Sequence, residues 1–223
     1  MISLSQRTVV HLALIGAGLG VVLMATRGVN VISFTEPLQL ITSGAEYESL
    51  YAIWKYVHGF TVYADHTRIP FAGSFYNWLY YVFYGEITKW VLGALSLGDA
   101  WLPTITRLIT ATGIVYGTWI AACLFREFAA AGNENLERLG FAFALLIFFG
   151  PMMGFFGIAT QPDVWGFALD VTAIYVFLRL YDRRPLTGIA LFCLFAYLAW
   201  GFKQIFVFST GTVGLFLLLR RDW

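Results

Sequence analysis

The chain has 223 residues, of which 59% are hydrophobic and 12% charged, with a formal net charge of +1. A soluble domain usually has about 25% charged residues, so half that share together with long apolar runs indicates a protein that resides in lipid. The balanced charge excludes nucleic acid as an implied partner. Cys123 and Cys193 both fall inside apolar runs, and no disulfide is expected.

The first apolar run, residues 8–26, follows Arg7 and has the outline of a signal peptide. The sequence that ends it, Leu23-Met24-Ala25-Thr26, lacks a small-x-small cleavage site, which favours a retained transmembrane helix. Five further apolar runs of suitable length predict additional spans at about 103–125, 139–158, 164–181, 186–201 and 205–219.

A weaker apolar segment, 75–97, contains Glu86 and Lys89 and is dense in Tyr and Trp. Charge is costly inside a bilayer, whereas Tyr and Trp favour the headgroup level. If this segment does not cross, the tight Arg clusters at chain ends and short loops all fall on the inner side, as the positive-inside rule requires. We therefore predict an all-α polytopic membrane protein. It has about six transmembrane helices in one domain, and a long outward first loop, 27–102, carries amphipathic juxtamembrane helices.

Three polar segments face outward in this topology: the first loop, the turn Gln161-Pro162-Asp163, and the break Gly201-Phe202-Lys203-Gln204. Acidic residues from distant parts of the chain then meet on one side of the bilayer. Such an arrangement is typical of a catalytic cleft. The loop contributes four acids, Glu36, Glu46, Glu48 and Asp65.

Within the loop, Ser43 to His58 is predicted to form an amphipathic helix, because Tyr47, Leu50, Ile53, Trp54 and Val57 recur at three- and four-residue spacing. We expect it to lie flat in the membrane interface with this stripe facing the lipid, and with Glu48 and Lys55 off the stripe.

Each acid of this helix has two interpretations. The pattern Ser43-Gly44-Ala45-Glu46 fits a capping box, which gives Glu46 a structural alternative to catalysis. Glu48 is either a solvated surface acid or a site residue. Asp65 beside His66 is a weak metal motif, and an ordinary turn is favoured there.

The aromatic segment around Asn77, Phe75 to Tyr81, either stacks on sugar rings or belongs to an interfacial aromatic belt. Asp163 opens the fourth span, where an acid also favours the helix N-terminus. Lys203, between the last two spans, either extends its ammonium to the membrane surface or binds an anionic phosphate.

Two further charges lie inside predicted spans and need partners. Arg107 lies one turn inside the second span, and Glu86, Asp99 or Asp163 is its expected partner. Asp170 lies two turns into the fourth span, where the hydroxyl of a nearby Tyr or Thr is the expected partner.

Together these residues resemble the GT-C class of integral membrane glycosyltransferases, in particular the branch with aminoarabinose transferases, lipopolysaccharide galacturonosyltransferase-like proteins and protein O-mannosyltransferases. The matching segments cover nearly the whole chain and are individually short: Ala45-Glu46-Tyr47-Glu48 through Gly59, Tyr63-Ala64-Asp65, Pro70, Tyr76-Asn77-Trp78, Thr106-Arg107-Leu108, Pro162-Asp163 and Phe202-Lys203.

The resemblance implies transfer of a sugar from a polyprenyl-phosphate donor to a glycan, lipid or protein acceptor at the outer membrane face. It implies a bacterial inner membrane with the site facing the periplasm. Glu46 is the first choice for the general base, with Glu48 as the alternative and Asp163 as a second acid. Lys203 and Arg107 would neutralise the leaving phosphate, and further substrate-binding positions would be Tyr63, Asp65 and Asn77. The resemblance fixes no cofactor, and both a metal-free site and one with a divalent metal ion are left open.

The chain departs from the family pattern in two ways. Ala45 stands where the family often has a first acid, and the chain ends after about six spans, whereas such enzymes usually continue. A second hypothesis is therefore a truncated or non-catalytic membrane module with the same fold. A transporter half ranks last, because Asp170 alone lies near a membrane midplane.

Overall fold

The computed structural model describes residues 5–32, 44–63, 67, 69, 73–129, 132–150 and 153–220, and all regular structure in these ranges is helical. The predicted all-α class is therefore confirmed for the described residues. The α-helices are α1 (Gln6–Ile32), α2 (Ala45–Val57), α3 (Trp78–Leu95), α4 (Leu102–Leu124), α5 (Glu134–Phe148), α6 (Asp163–Leu180), α7 (Pro185–Phe202) and α8 (Phe208–Arg220). A 3-10 turn, Asp99–Trp101, precedes α4, a π-helical turn, Phe125–Ala129, follows it, and a second 3-10 turn is Gly154–Gly157.

Three helical stretches are long and apolar enough to cross a membrane: Gln6–Ile32, Asp99–Phe128 and Pro185–Phe202. The apolar helix α8 is shorter. Along α1 the side chains of Leu12, Ile15, Leu19 and Leu23 are exposed, as expected of a helix that faces lipid. These features support a membrane protein.

The predicted span 139–158 is not one helix. α5 begins earlier, at Glu134, because the Asn133 side chain accepts hydrogen bonds from the backbone N–H groups of Asn135 and Leu136. It ends at Phe148. The sequence then has Gly150-Pro151, and proline disfavours the helical conformation of the residue before it.

The loop helix exists as predicted, but its buried face differs from the predicted stripe. Leu50 and Ile53 are buried, whereas Tyr47 is exposed and Lys55 is buried with its ammonium donating to the Val62 carbonyl over 3.3 Å. The buried face packs on α3 and α4. A hydrophobic stripe alone does not reveal that a neighbouring helix offers polar partners to the other face.

The capping-box interpretation needs Ser43 immediately before the helix. Gly44 takes that position instead, with a φ of 84°, and makes no side-chain cap bond. Ser43 lies outside the described residues.

The core is built around α4, which contacts α1, α2, α3, α5 and α6. One cluster joins α2, α3 and α4 through Ile53, Tyr80, Tyr84 and Ile109. A second cluster joins α4, α5 and α6 around Phe148. α6, α7 and α8 share the third. The segment that enters α6 is therefore surrounded by packed helices.

Gly117 sets the spacing of α4 and α5. A Cβ there would lie 2.1 Å from Cε1 of the Phe148 ring, which is fully buried in the second cluster. We expect Gly117→Ala to destabilise the protein by about 1–3 kcal/mol, because the ring cannot move without displacing its neighbours. The thermal unfolding midpoint in detergent, followed by intrinsic fluorescence, measures this loss.

Gly18→Ala is the matched control, since a Cβ at Gly18 meets no atom within 4 Å. Both substitutions add the same helix propensity. Equal midpoints for the two variants would contradict close packing at Gly117.

Candidate functional site

A fully buried ion pair joins α2 to α4. Arg107 Nε donates to Glu46 Oε1 over 3.0 Å and Nη2 donates to Oε2 over 2.9 Å, and both side chains have 0% exposure. Two parallel charge-assisted hydrogen bonds of this kind fix position as well as charge. The predicted partners of Arg107, namely Glu86, Asp99 and Asp163, are wrong, and Glu46 takes that place.

Two of the predicted acids have other neighbours. Glu86 accepts a hydrogen bond from the Tyr56 hydroxyl at 2.7 Å. Asp99 Oδ2 accepts from Trp54 Nε1 at 2.8 Å and lies 3.0 Å from His58 Nε2. Both acids thus bind side chains of α2 at the protein surface, whereas Glu46 anchors the helix through a buried contact.

The same ion pair reaches two further segments. Glu46 Oε1 accepts the backbone N–H of Thr160 at 2.9 Å, and Arg107 Nη1 donates to the Val31 carbonyl at 2.9 Å. The pair therefore connects α1, α2, α4 and the segment 159–162 that enters α6. Because the contacts of Glu46 with Arg107 and with Thr160 are buried away from water, the position of segment 159–162 depends on the pair.

Hydroxyl groups hold the rest of this segment. Each of its carbonyls from 159 to 161 accepts a hydrogen bond from a buried Thr or Tyr, which satisfies backbone groups that cannot reach water. The contacts are Thr110 Oγ1 to Ala159 O (3.1 Å), Tyr80 OH to Thr160 O (3.0 Å), Tyr84 OH to Gln161 O (3.2 Å), and Thr106 Oγ1 with Thr160 Oγ1 (2.7 Å). These contacts fix the backbone that leads to Asp163, the next acid along the chain.

Asp163 is the first residue of α6, as predicted, and it pairs with Lys203 just beyond α7. Lys203 Nζ donates to Asp163 Oδ1 over 2.7 Å, with side-chain exposures of 23% and 16%. The ammonium also lies 5.5 Å from the centre of the Tyr76 ring and 5.6 Å from that of Phe156. Asp163 Oδ2 is buried and has no hydrogen-bond donor among the described residues.

A second unmatched group lies beside it. The Tyr76 hydroxyl donates to Gln161 Oε1 over 2.6 Å, and Gln161 Nε2 is buried without an acceptor within the described ranges. Burial and the nearby Asp163 carboxylate raise the pKa of Tyr76 to about 12, so its hydroxyl stays protonated and available as a donor. Native structures leave few buried polar atoms unpaired, and such atoms often mark a functional site.

An apolar cavity of about 390 Å³ opens next to Asp163. Its walls include Phe156, Phe167 and Ile205, and Asp170 lies farther along the same helix face as Asp163. The Ser209 hydroxyl of α8 donates to the Asp170 carboxylate, so the partner is a hydroxyl group, but of a serine rather than of the predicted Tyr or Thr. The cavity thus combines aromatic walls with a carboxylate at its edge.

The remaining predicted site residues stabilise the loop. Glu48 Oε2 accepts the backbone N–H of Gly73 at 3.1 Å, Asn77 Nδ2 donates to the Trp200 carbonyl at 2.5 Å, and the Tyr63 hydroxyl donates to the Tyr76 carbonyl at 2.7 Å. Asp65 lies outside the described residues. The three polar segments of the sequence prediction meet in one place. Tyr76 of the loop contacts Gln161 of the turn, and Lys203 of the break contacts Asp163 of the turn.

Sequence reasoning missed the supporting hydroxyls and the role of Gln161. One signal for them was present: Tyr80 and Tyr84 are four residues apart, as are Thr106 and Thr110, which places each pair on one helix face. Tyr76 continues the same spacing but lies before α3 begins. In the described ranges no three His, Cys, Asp or Glu side chains gather as metal ligands. Comparison with models of protein families, with curated proteins and with solved structures finds no match to this chain.

Glu46→Gln leaves the Arg107 charge buried without a carboxylate. We expect a loss of about 3–5 kcal/mol in the free energy of unfolding, because an uncompensated buried charge is strongly destabilising. Thermal denaturation in detergent measures the loss. The double variant Glu46→Leu/Arg107→Met should recover part of it, since both charges are then absent.

Glu134→Gln is the control, because Glu134 pairs with Arg138 at the surface, where side-chain exposures are 75% and 51%. Such a pair contributes about 0–1 kcal/mol. A Glu46→Gln protein as stable as Glu134→Gln would contradict the structural role of the pair.

Proposed function

We propose that this protein is a membrane glycosyltransferase that moves a sugar from a polyprenyl-phosphate donor to an acceptor hydroxyl at the outer face of the membrane. The observation that supports it best is the Asp163–Lys203 pair, with one unmatched carboxylate oxygen, at the edge of an apolar cavity. Sugar transfer from a lipid-linked phosphate needs three features together: a cation for the phosphate charge, an apolar wall for the lipid chain, and a base for the acceptor hydroxyl.

Asp163 is then the general base. Its carboxylate takes the proton of the acceptor hydroxyl as that oxygen attacks the anomeric carbon. The bond from the anomeric carbon to the phosphate oxygen breaks. The phosphate leaves with an added negative charge, which the Lys203 ammonium neutralises. Arrival of the donor phosphate at Lys203 also loosens the 2.7 Å ion pair, which frees Asp163 to accept the proton.

For Glu46 and Arg107, the geometry favours roles that differ from those the resemblance implies. Glu46 has no exposed surface and both carboxylate oxygens are engaged, so it is proposed to position the turn before Asp163 rather than to act as base. Arg107 is equally enclosed and is proposed to serve Glu46 rather than the phosphate. The engagement of Glu46 also supports the rival function, a non-catalytic module of the same fold.

We propose six spans, formed by α1, α4, α5, α6, α7 and α8, with α2 and α3 at the outer surface of a bacterial inner membrane. The contacts of α2 and α3 with the segments around Thr160 and Trp200 support it. Arginines gather at the opposite end of the bundle, where Arg183 and Arg184 join α6 to α7.

Single cysteines test this topology in a background that lacks Cys123 and Cys193. Glu86→Cys and Gln204→Cys should react with an impermeant thiol reagent on spheroplasts, and Glu134→Cys and Arg183→Cys should react only after lysis. All four positions are exposed in the fold, so burial does not confuse the result. Reaction of 86 and 204 from different sides would refute the six-span arrangement.

Activity is tested with purified protein, a panel of polyprenyl-phosphate sugars, and candidate glycan, lipid and protein acceptors. Release of free polyprenyl phosphate is measured by mass spectrometry. We expect Asp163→Asn to lower the rate by about 10²–10⁴-fold, the usual contribution of a general base. Its unfolding midpoint should fall less than that of Glu46→Gln, because the Asp163–Lys203 pair is only partly buried. Lys203→Gln should raise the KM for the donor.

Asp182→Asn is the matched control, since Asp182 lies at the exposed junction of α6 and α7, away from the cavity. If the wild-type protein binds the donor without releasing phosphate in the presence of any acceptor, the non-catalytic module is the better function. If Asp163→Asn turns over normally, the assignment of the base is wrong.

A further inference from the structure

A groove of mixed character lies at the other end of the bundle, where α1 begins, α4 ends and α5 begins. It encloses about 360 Å³. Its apolar walls include Leu14 of α1, Trp119 of α4 and Phe141 of α5. Its polar end contains Arg126, Glu137 and Arg138. Two of the helices, α1 and the stretch that contains α4, are long and apolar enough to span a membrane. In the proposed topology the polar end of the groove lies at headgroup depth.

The π-helical turn Phe125–Ala129 shapes this end of the groove. It packs tightly on α5, since a Cβ at Gly140 would lie 2.6 Å from the Cβ of Phe125. A π turn has more residues per turn than an α-helix and changes the direction of the side chains that follow it, and such turns are frequent at functional sites. Here the turn carries Arg126, which lines the groove together with Trp119 of the preceding α-helix.

The charges of the groove are of both signs and are incompletely paired. Arg126 and Glu137 make no ion pair with any described residue, whereas Arg138 pairs with Glu134 at the surface. The neighbouring acid Glu127 is occupied by Arg179 and the Tyr175 hydroxyl. The groove therefore offers a cation and a carboxylate that have no ion-pair partner among the described residues, both lining the same pocket as the apolar wall.

We propose that this groove binds a zwitterionic aminophospholipid, such as phosphatidylethanolamine. Its phosphodiester accepts hydrogen bonds from Arg126 and Arg138, and its primary ammonium donates to the Glu137 carboxylate. One acyl chain packs along Leu14 and Phe141. Basic pockets between transmembrane helices are known to bind lipid headgroups, and the added acid selects the amine.

The two signs of charge decide between lipid classes. Phosphatidylglycerol satisfies the arginines but offers Glu137 only neutral hydroxyl donors, which bind a carboxylate more weakly than an ammonium does. A choline headgroup has no N–H to donate to the carboxylate. This inference is independent of the transferase activity, because the groove lies at the opposite end of α4 from Arg107.

Native mass spectrometry of the whole chain in detergent tests the proposal. Phosphatidylethanolamine, phosphatidylcholine and phosphatidylglycerol with identical dioleoyl chains are titrated separately, and the apparent Kd of the first bound lipid is compared. For the wild-type protein we expect phosphatidylethanolamine to bind about fivefold or more tightly than phosphatidylcholine, the effect of about one charge-assisted hydrogen bond at a partly solvated site.

The variants separate the two halves of the headgroup. Glu137→Gln should reduce the preference for phosphatidylethanolamine over phosphatidylcholine, because the neutral amide oxygen accepts a weaker hydrogen bond from the ammonium than the carboxylate does. Arg126→Gln should weaken all three lipids. Asp182→Asn and Arg183→Gln are the matched controls, since they change exposed charges at the same end of the bundle and outside the groove.

Equal affinity of the wild-type protein for the three lipids would overturn the proposal. So would a loss of preference in Asp182→Asn as large as in Glu137→Gln, because the preference would then come from the general charge of this surface. An unfolding midpoint for each variant, taken without added lipid, excludes misfolding as the cause of a loss. Preference for phosphatidylglycerol would also overturn it and would identify an anionic-lipid surface instead.

Discussion

The position of the first loop depends on one buried charge pair. Arg107 lies inside α4 and is enclosed by packed side chains, where an unpaired guanidinium would be strongly unfavourable. Glu46 of α2 neutralises it through two hydrogen bonds. The loop helix must therefore dock on the bundle with its acidic first turn inward, and the carboxylate that holds Arg107 also holds the Thr160 N–H.

This constraint extends to the candidate site. The Thr160 contact and the surrounding hydroxyls fix residues 159–161, and Asp163, the first residue of α6, follows after Pro162. A rigid support allows the protein to keep Asp163 Oδ2 and Gln161 Nε2 buried without a partner among the described residues, an arrangement that a mobile turn would relax. Glu46 and Arg107 therefore position the turn that carries both atoms.

The two ends of the bundle use charge differently. At the end with Glu46 and Asp163, opposite charges are buried and joined across distant segments. At the end with Arg126 and Glu137, charges of both signs line an open groove without ion pairs to each other. The first arrangement positions parts of the protein, and the second is suited to a ligand that brings its own phosphate and amine.

The sequence alone determined the helical class, the membrane character and the places where polar residues interrupt apolar helices. Asp163 at the start of α6, Arg107 one turn into α4 and Lys203 just beyond α7 all follow from local patterns, because apolar runs and turn residues are properties of neighbouring positions.

Only the tertiary structure decided which charges pair. Glu46 lies 61 positions from Arg107 and Asp163 lies 40 from Lys203, and no periodicity relates residues so far apart. The buried face predicted for α2 was partly wrong for the same reason. Lys55 and Glu46 are buried because neighbouring elements offer them a carbonyl and a guanidinium. Partner choice is a property of how helices pack, and packing sums many weak contacts that a single sequence does not rank.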